Sequence, residues 1–358
     1  MVLEMKELEN ILQQIKGLDD EAMERSRAHW LSVAKPLFSL GKLETMVTQI
    51  AGIKGTENYN LDKKALIIMC ADNGVVAEGV TQSEQSVTAA VTGNFLTCGT
   101  SVCFMAKRAG CDLFPVDIGV AVDVDGVTQA DKKIAYGTKN MAIEPAMTRQ
   151  QAIDAIKVGI EKVKEVKDKG YEIIATGEMG IGNTTTSSAI TAALLGIPVE
   201  EITGRGAGLT SEGLQRKIDT IKKAIALHKP DPADPVDVLA KVGGLDIAGL
   251  TGVFIGGALY HIPIVIDGFI SAVSAMLACH ICPEVGDYML ASHVSKEPAG
   301  HIVLDELKLS PVITADMCLG EGTGAVALFP LLEMVLDVYN KMSTFDNWNG
   351  NETYQILK

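Results

Sequence analysis

Two glutamates stand among glycines in this 358-residue chain: Glu178 in "GEMGIGNTTTSSA" (177–189) and Glu321 in "LGEGTGA" (319–325). A glycine-rich turn that opens into a helix ordinarily receives an anion, because backbone N–H groups and the helix dipole supply positive potential there. A carboxylate at the mouth of such a turn therefore raises the question of what it faces. Around Glu321 the neighbouring Gly320, Gly322 and Gly324 let backbone and ligand approach closely, at an entropic cost that a plain surface loop has no reason to bear.

The first stretch has Gly177, Gly180 and Gly182 in the order G-x-x-G-x-G, the reverse of the dinucleotide fingerprint. Asn183 and three threonines follow, not the Lys-Ser/Thr of a P-loop, so a nicotinamide dinucleotide or ATP is a poor fit. A small phosphomonoester held by N–H groups and hydroxyls fits better. An ordinary helix cap at Thr184 or Thr185 explains part of the motif but not Glu178. The turn "GRGAGLTSEGLQRK" (204–217) places Gly204, Gly206 and Gly208 before a helix bearing Lys217. A loop and a solvated helix face account equally well for Arg205 and Lys217. His293 and His301 in "SHVSKEPAGH" lack a third metal ligand nearby, and "CHIC" (279–282) lacks a second ligand pair. No metal and no cofactor are expected.

The elements that must position these residues show in the apolar pattern. Four short runs each end in an acid and a glycine: "ALIIMCADNG" (65–74), "LFPVDIG" (113–119), "EIIATGEMG" (172–180) and "IPIVIDGF" (262–269). Runs apolar throughout are what a sheet covered on both faces requires. Helical patterns such as "QQAIDAIKVGIEKVKEV" and "GLQRKIDTIKKAIAL" lie between them, so the expected fold class is α/β, a doubly wound, mainly parallel, Rossmann-like sheet. In that architecture ligands sit beyond the carboxyl ends of the strands, where these acids fall. Helical segments over residues 1–60 are expected to join 328–358 in a small helical lobe, leaving 61–327 as the large catalytic domain. The apolar stretch from Ile247 to Leu277 contains His261, Pro263 and Asp267, and reads as a buried helix followed by a buried strand, not a membrane span.

A formal net charge of -14 excludes polyanionic partners such as nucleic acid or an anionic membrane surface. The acidic, helix-patterned N-terminus resembles no targeting segment, so the cytoplasm is the expected compartment. Seven cysteines, mostly within apolar runs, read as reduced buried thiols.

Taken together, "KPLFSLGKLE", "ADNGVVAEGV", "GEMGIGNTT", "GRGAGL", "IPIVIDGFI", "SHVSKEPAGH" and "LGEGTGA" occur in one order over almost the whole chain. In this the chain resembles the nicotinate-nucleotide–dimethylbenzimidazole phosphoribosyltransferases of cobamide synthesis. The resemblance implies a donor, nicotinate mononucleotide, with a phosphate at one end and a cationic pyridinium at the anomeric carbon. It also implies an aromatic acceptor, and a product α-riboside phosphate. Glu321 is then the general base and Glu178 faces the ribose or its developing positive charge. The phosphate and ribose fall to Gly177, Met179, Gly180, Ile181, Gly182, Asn183 and Thr184, with Gly204, Gly206, Ala207, Lys217, Asp267 and Ser295. The acceptor falls to Phe38, Asp72, Thr81, Gln85 and Leu319.

Two segments depart from the family. Phe38 stands where K-P-x-G-S-L-G has glycine, and "TQSEQSVT" replaces S-x-Y-P-Q-E-V-T. These departures bear on the acceptor, so a phenol or p-cresol stands beside dimethylbenzimidazole. The active form is expected to be a homodimer, or a heterodimer with a related chain. A catalytically weak paralogous subunit that only binds nucleotide is the non-enzyme alternative, and retention of both glutamates counts against it.

Overall fold

The computed structural model describes residues 2–206 and 208–347. Ala207 and the last residues of the expected helical lobe, 348–358, lie outside them. Five strands form one parallel sheet: β1 (Lys64–Ala71), β2 (Cys111–Gly119), β3 (Ile173–Met179), β4 (Ile264–Ile266) and β5 (Met289–Ala291), in the spatial order β2-β1-β3-β4-β5. β2 pairs on one side of β1 and β3 on the other, so the strand order reverses there and opens a crevice at their carboxyl ends. The four expected strands are present. β5 is additional: "MLA" is too short to announce itself by pattern.

β1 is buried along its whole length, and its alternate residues serve opposite faces. Ala65, Ile67 and Met69 join one core with the helices Arg149–Asp168 and Leu245–Leu259. Leu66, Ile68 and Cys70 join another with Trp30, Val47, Ile50, Val326 and Phe329. The terminal helices Asp20–Ser32, Lys42–Lys54 and Thr323–Lys341 thus share a core with the sheet. Val33 bridges Thr344, and Tyr339 sets its ring edge against Trp30 at 4.8 Å.

The helix Arg149–Asp168 begins in the capping box of Thr148 and Gln151. It lies backbone to backbone against Leu245–Leu259: a Cβ on Gly252 would meet the Ile156 carbonyl oxygen at 1.9 Å. The stretch read as a helix and a strand is the helix Leu245–Leu259, the strand β4 and then a second buried helix, Phe269–Ile281. Its helices of 15 and 13 residues are each shorter than the roughly 20 needed to cross a bilayer. All seven cysteines are free thiols; Cys98 and Cys318 are exposed, against the expectation of burial.

Candidate active site

Glu178 is the penultimate residue of β3, and Met179 ends the strand. The chain then turns through Gly180–Gly182 into the helix Asn183–Leu195. Gly182 occupies the helix N-cap in the left-handed region, φ 93°, so the cap is a glycine and not Thr184 or Thr185. A cavity of about 270 Å³ opens over this turn. Glu178, Met179, Gly180, Ile181, Gly182, Asn183 and Thr184 line it from β3 and the helix start. Gly206 and Ser295 line it from neighbouring loops and Asp267 from the end of β4, and Thr81, Leu319 and Glu321 complete the lining.

The loop bearing Glu321 is strained in a way its sequence foreshadows. Gly320, Glu321 and Gly322 all have positive φ, 89°, 60° and 91°. A non-glycine residue held there costs of order 1–3 kcal/mol, which a surrounding structure must offset. Asp267 does so: its carboxylate accepts from the N–H groups of Gly324 (2.7 Å), Ala325 (3.0 Å) and Gly322 (3.2 Å). Both Asp267 oxygens are therefore engaged by the protein. Asp267, which also lines the cavity, is thereby the clamp that fixes the glutamate loop and starts the helix Thr323–Lys341. Glu321 Oε2 accepts from the N–H of Val102 at 3.1 Å, at the start of the helix Ser101–Ala109, which orients the carboxylate. A carboxylate has about four acceptor positions, so it retains capacity for a ligand proton. Gly177 does not line the cavity; a Cβ there would meet the Glu321 carbonyl oxygen at 2.6 Å, so its role is to let this loop lie on β3.

Behind the helix start, Lys217 is buried. Its Nζ donates to Thr184 Oγ1 (2.8 Å) and to the Gly204 carbonyl (3.2 Å), which ties the two glycine turns together. Burial pushes its pKa down to about 8, partly opposed by Glu297. Lys217 is thus no solvated helix face, and it backs the cavity wall without lining it. Arg205 closes its own turn through Leu209 and Ser211. Gly204 likewise contributes its carbonyl from behind the wall.

Three residues expected at the acceptor lie elsewhere in this chain. Asp72 is buried beyond β1, where its Oδ2 accepts from Ala121 N–H at 2.8 Å, and Gln85 starts the helix Ser86–Leu96 beside Asp72 and Gly137. Phe38 is 62% exposed on a separate surface groove with Met23, Trp30 and Glu44. Its φ of 58° is the left-handed region, where a glycine sits without strain and a phenylalanine does not.

Residues outside the expected set also belong to the site, Gly268, Phe269, Ile270, Ser271, His293 and Gly320 of the cavity lining among them. Asp246, in the first turn of Leu245–Leu259, accepts from Asn183 Nδ2 at 3.0 Å, and the same amide group donates to Glu178 Oε2. Val91, Glu297 and Cys318 line the cavity. Glu297 and His293 had a signal in "SHVSKEPAGH", Gly268, Phe269 and Ile270 in "IPIVIDGFI" and Gly320 in "LGEGTGA"; Asp246, Val91, Ser271 and Cys318 had none. Burial first, then the charge of Asp246, pushes Glu178 up to about 8. Among the described residues no three His, Cys, Asp or Glu side chains are grouped to hold a metal ion.

A phosphoribosyltransferase family model matches residues 15–349. Among curated proteins, the nicotinate-nucleotide–dimethylbenzimidazole phosphoribosyltransferase of Clostridium acetobutylicum is 49% identical, covering 98% of this chain and 99% of that protein. The enzyme of the same name from Ruminiclostridium cellulolyticum is 48% identical, covering 94% and 96%. The crystal structure of CobT from Thermus thermophilus superimposes with a TM-score of 0.86 at 36% identity, covering 92% of this chain and 100% of that one. The family model and relatives at nearly half identity both extend over almost the whole chain, and the chain therefore belongs to the nicotinate-nucleotide–dimethylbenzimidazole phosphoribosyltransferase family.

Proposed function

We propose that this phosphoribosyltransferase moves the ribosyl phosphate of nicotinate mononucleotide to dimethylbenzimidazole, releasing nicotinate and an α-riboside phosphate for cobamide assembly. The observation that supports the reading is one cavity lined by two kinds of group. A helix start, Thr184, Gly206 and Ser295 offer N–H and hydroxyl donors to a phosphate. Val91, Met179 and Leu319 add apolar surface to the cavity that Glu321 also lines.

The acceptor's ring nitrogen attacks the anomeric carbon as the bond to the pyridinium nitrogen breaks. The bonding pair passes to the pyridine ring, which leaves neutral. Glu321 takes the proton from the acceptor's second ring nitrogen, and a single displacement on a β-nucleotide gives the α-riboside. Glu178, at the cavity floor, faces the positive charge that grows on the ribosyl group, which a fixed carboxylate stabilises without reorganisation. Gly204 and Lys217 support the donor end from behind, and Gly177 and Asp267 hold the loop of the base.

A phenolic acceptor is the less favoured reading, because Phe38, the bulkiest departure from the family pattern, lies outside this chain's cavity. Purified protein given nicotinate mononucleotide with a mixture of benzimidazoles, purines and phenols should yield dimethylbenzimidazole riboside phosphate as the main product by mass spectrometry. A phenolic riboside as the main product would overturn the acceptor assignment, and no riboside phosphate at all would overturn the donor.

A further inference from the structure

His293 follows β5 on a segment that bridges Ile313, and only 4% of its surface is exposed. Its ring lies against the turn after Glu321: a Cβ on Gly324 would fall 1.9 Å from His293 Nδ1. Gly324 therefore leaves the room that the imidazole fills. Two hydrogen bonds decide which ring nitrogen carries the proton. Ser292 Oγ donates to the Ile266 carbonyl at 2.6 Å, so its one proton is used there. In its contact with His293 Nδ1 at 3.1 Å the hydroxyl must then accept and Nδ1–H donate. A neutral imidazole protonated at Nδ1 has a bare acceptor at Nε2. Burial favours that neutral ring, opposed by the charge of Asp267.

Nε2 has no hydrogen-bond partner among the described residues, yet it is not one of their sealed polar atoms, and it opens onto the cavity that His293 lines. His293 Nε2 and Ser295 Cβ lie 3.6 and 3.9 Å from where a Cβ on Gly268, another residue of the lining, would sit. The bare acceptor thus borders the part of the cavity that Ser295 lines. The charged side chains that line the cavity with it are all carboxyl groups: Glu178, Asp267, Glu297 and Glu321. None of them in its ionised form can donate to Nε2, so the proton must come from the ligand. Nicotinate mononucleotide is anionic at its phosphate and carboxylate near neutral pH, and its pyridinium nitrogen bears no hydrogen. Its O–H donors are the two hydroxyls of the ribose.

We propose that His293 reads the sugar: its Nε2 accepts a hydrogen bond from one ribose hydroxyl of the nucleotide, and the enzyme thereby selects a ribosyl over a deoxyribosyl donor. Ser292 is a positioning residue, which holds the imidazole in the accepting tautomer through Nδ1.

The inference rests on nicotinate mononucleotide as donor, so its tests read binding and tautomer, not turnover. Affinities for nicotinate mononucleotide and its 2′-deoxy and 3′-deoxy analogues are measured by calorimetry. Wild type should lose about tenfold with one analogue. In His293→Phe, which keeps a ring but offers no acceptor, that ratio should fall to near one while the ratio for the other analogue stays as in wild type. Equal binding of both analogues by wild type, or wild-type ratios in a folded His293→Phe enzyme, would overturn the proposal and leave the donor assignment standing. The tautomer is read by 15N spectra of histidine-labelled wild type; of the six histidine signals, that of His293 is the one left when the others are replaced singly. Nε2 should be unprotonated in the empty enzyme and remain so with nucleotide bound, shifting with nicotinate mononucleotide but not with the discriminated analogue. A protonated Nε2 in the complex, the mark of an anionic partner, would overturn the proposal even if no His293 variant folds. Failure of wild type to bind nicotinate mononucleotide at all would overturn the donor assignment with it.

Discussion

Glu178 makes the site's electrostatics visible in the stability of the empty protein. Its carboxyl titrates near 4.5 when unperturbed and at about 8 in the fold, raised first by burial and then by Asp246. Between those values the folded protein keeps a proton that the unfolded chain has lost. Stability therefore falls as pH rises through that window and levels off above it. Glu178→Gln removes this penalty, so thermal melts from about pH 5 to about pH 9 should show a gain in Tm that grows with pH and then plateaus. A gain independent of pH would mean that Glu178 is not buried as an acid. At the donor end, Ser295→Ala should raise the KM for nicotinate mononucleotide by about five- to tenfold and leave Tm unchanged, since it removes one hydrogen bond to the ligand. An unaltered KM would place the phosphate elsewhere. Gly182→Val is a poorer probe: Gly182 has φ 93° and a Cβ there would lie 2.9 Å from Val76 Cγ2, so the fold itself would suffer.

Phe38 belongs to an element, the turn between the helices Asp20–Ser32 and Lys42–Lys54, more than to the chemistry. Held at φ 58° and exposed, it should be replaceable by glycine with a net stabilisation of up to about 1 kcal/mol, the relief of left-handed strain less glycine's extra chain entropy. The ratio of specificity constants for phenol and dimethylbenzimidazole should not move; a shift toward dimethylbenzimidazole would mean that Phe38 does reach an acceptor site. Its place outside the cavity of its own chain shows where sequence stops being legible. Four of five strands were readable because a buried parallel strand must be apolar on both faces, and the glycines around Glu178 and Glu321 were readable because their backbones come so close. Whether Phe38 and Gln85 meet the same space as Leu319 depends on chain paths that no local pattern encodes. Asp246 was hidden for the opposite reason. It sits in an ordinary helix start, and its role exists only because β3 brings Asn183 against it. Asp267 was found, but its partners are backbone N–H groups of a distant loop, and backbone leaves no residue-type signal.

Across the whole molecule, 45 acidic residues oppose 31 basic ones, and the donor it is proposed to bind carries a phosphate. Long-range repulsion should slow encounter at low salt. Raising ionic strength from about 0.01 M to about 0.15 M shortens the Debye length from roughly 30 Å to roughly 8 Å, so kcat/KM for the nucleotide should rise. A fall would mean that the field of the glycine turns and Lys217 reaches well beyond the cavity. All these parts converge on one carboxylate, clamped through Asp267, oriented at Val102 and set in a partly apolar cavity. The most direct measurement is therefore Glu321→Gln, compared with wild type for turnover and for nicotinate mononucleotide affinity by calorimetry. If Glu321 takes the acceptor's proton, kcat should fall by about two to four orders of magnitude while nucleotide affinity changes little. Near-wild-type turnover in a folded Glu321→Gln enzyme would contradict the account.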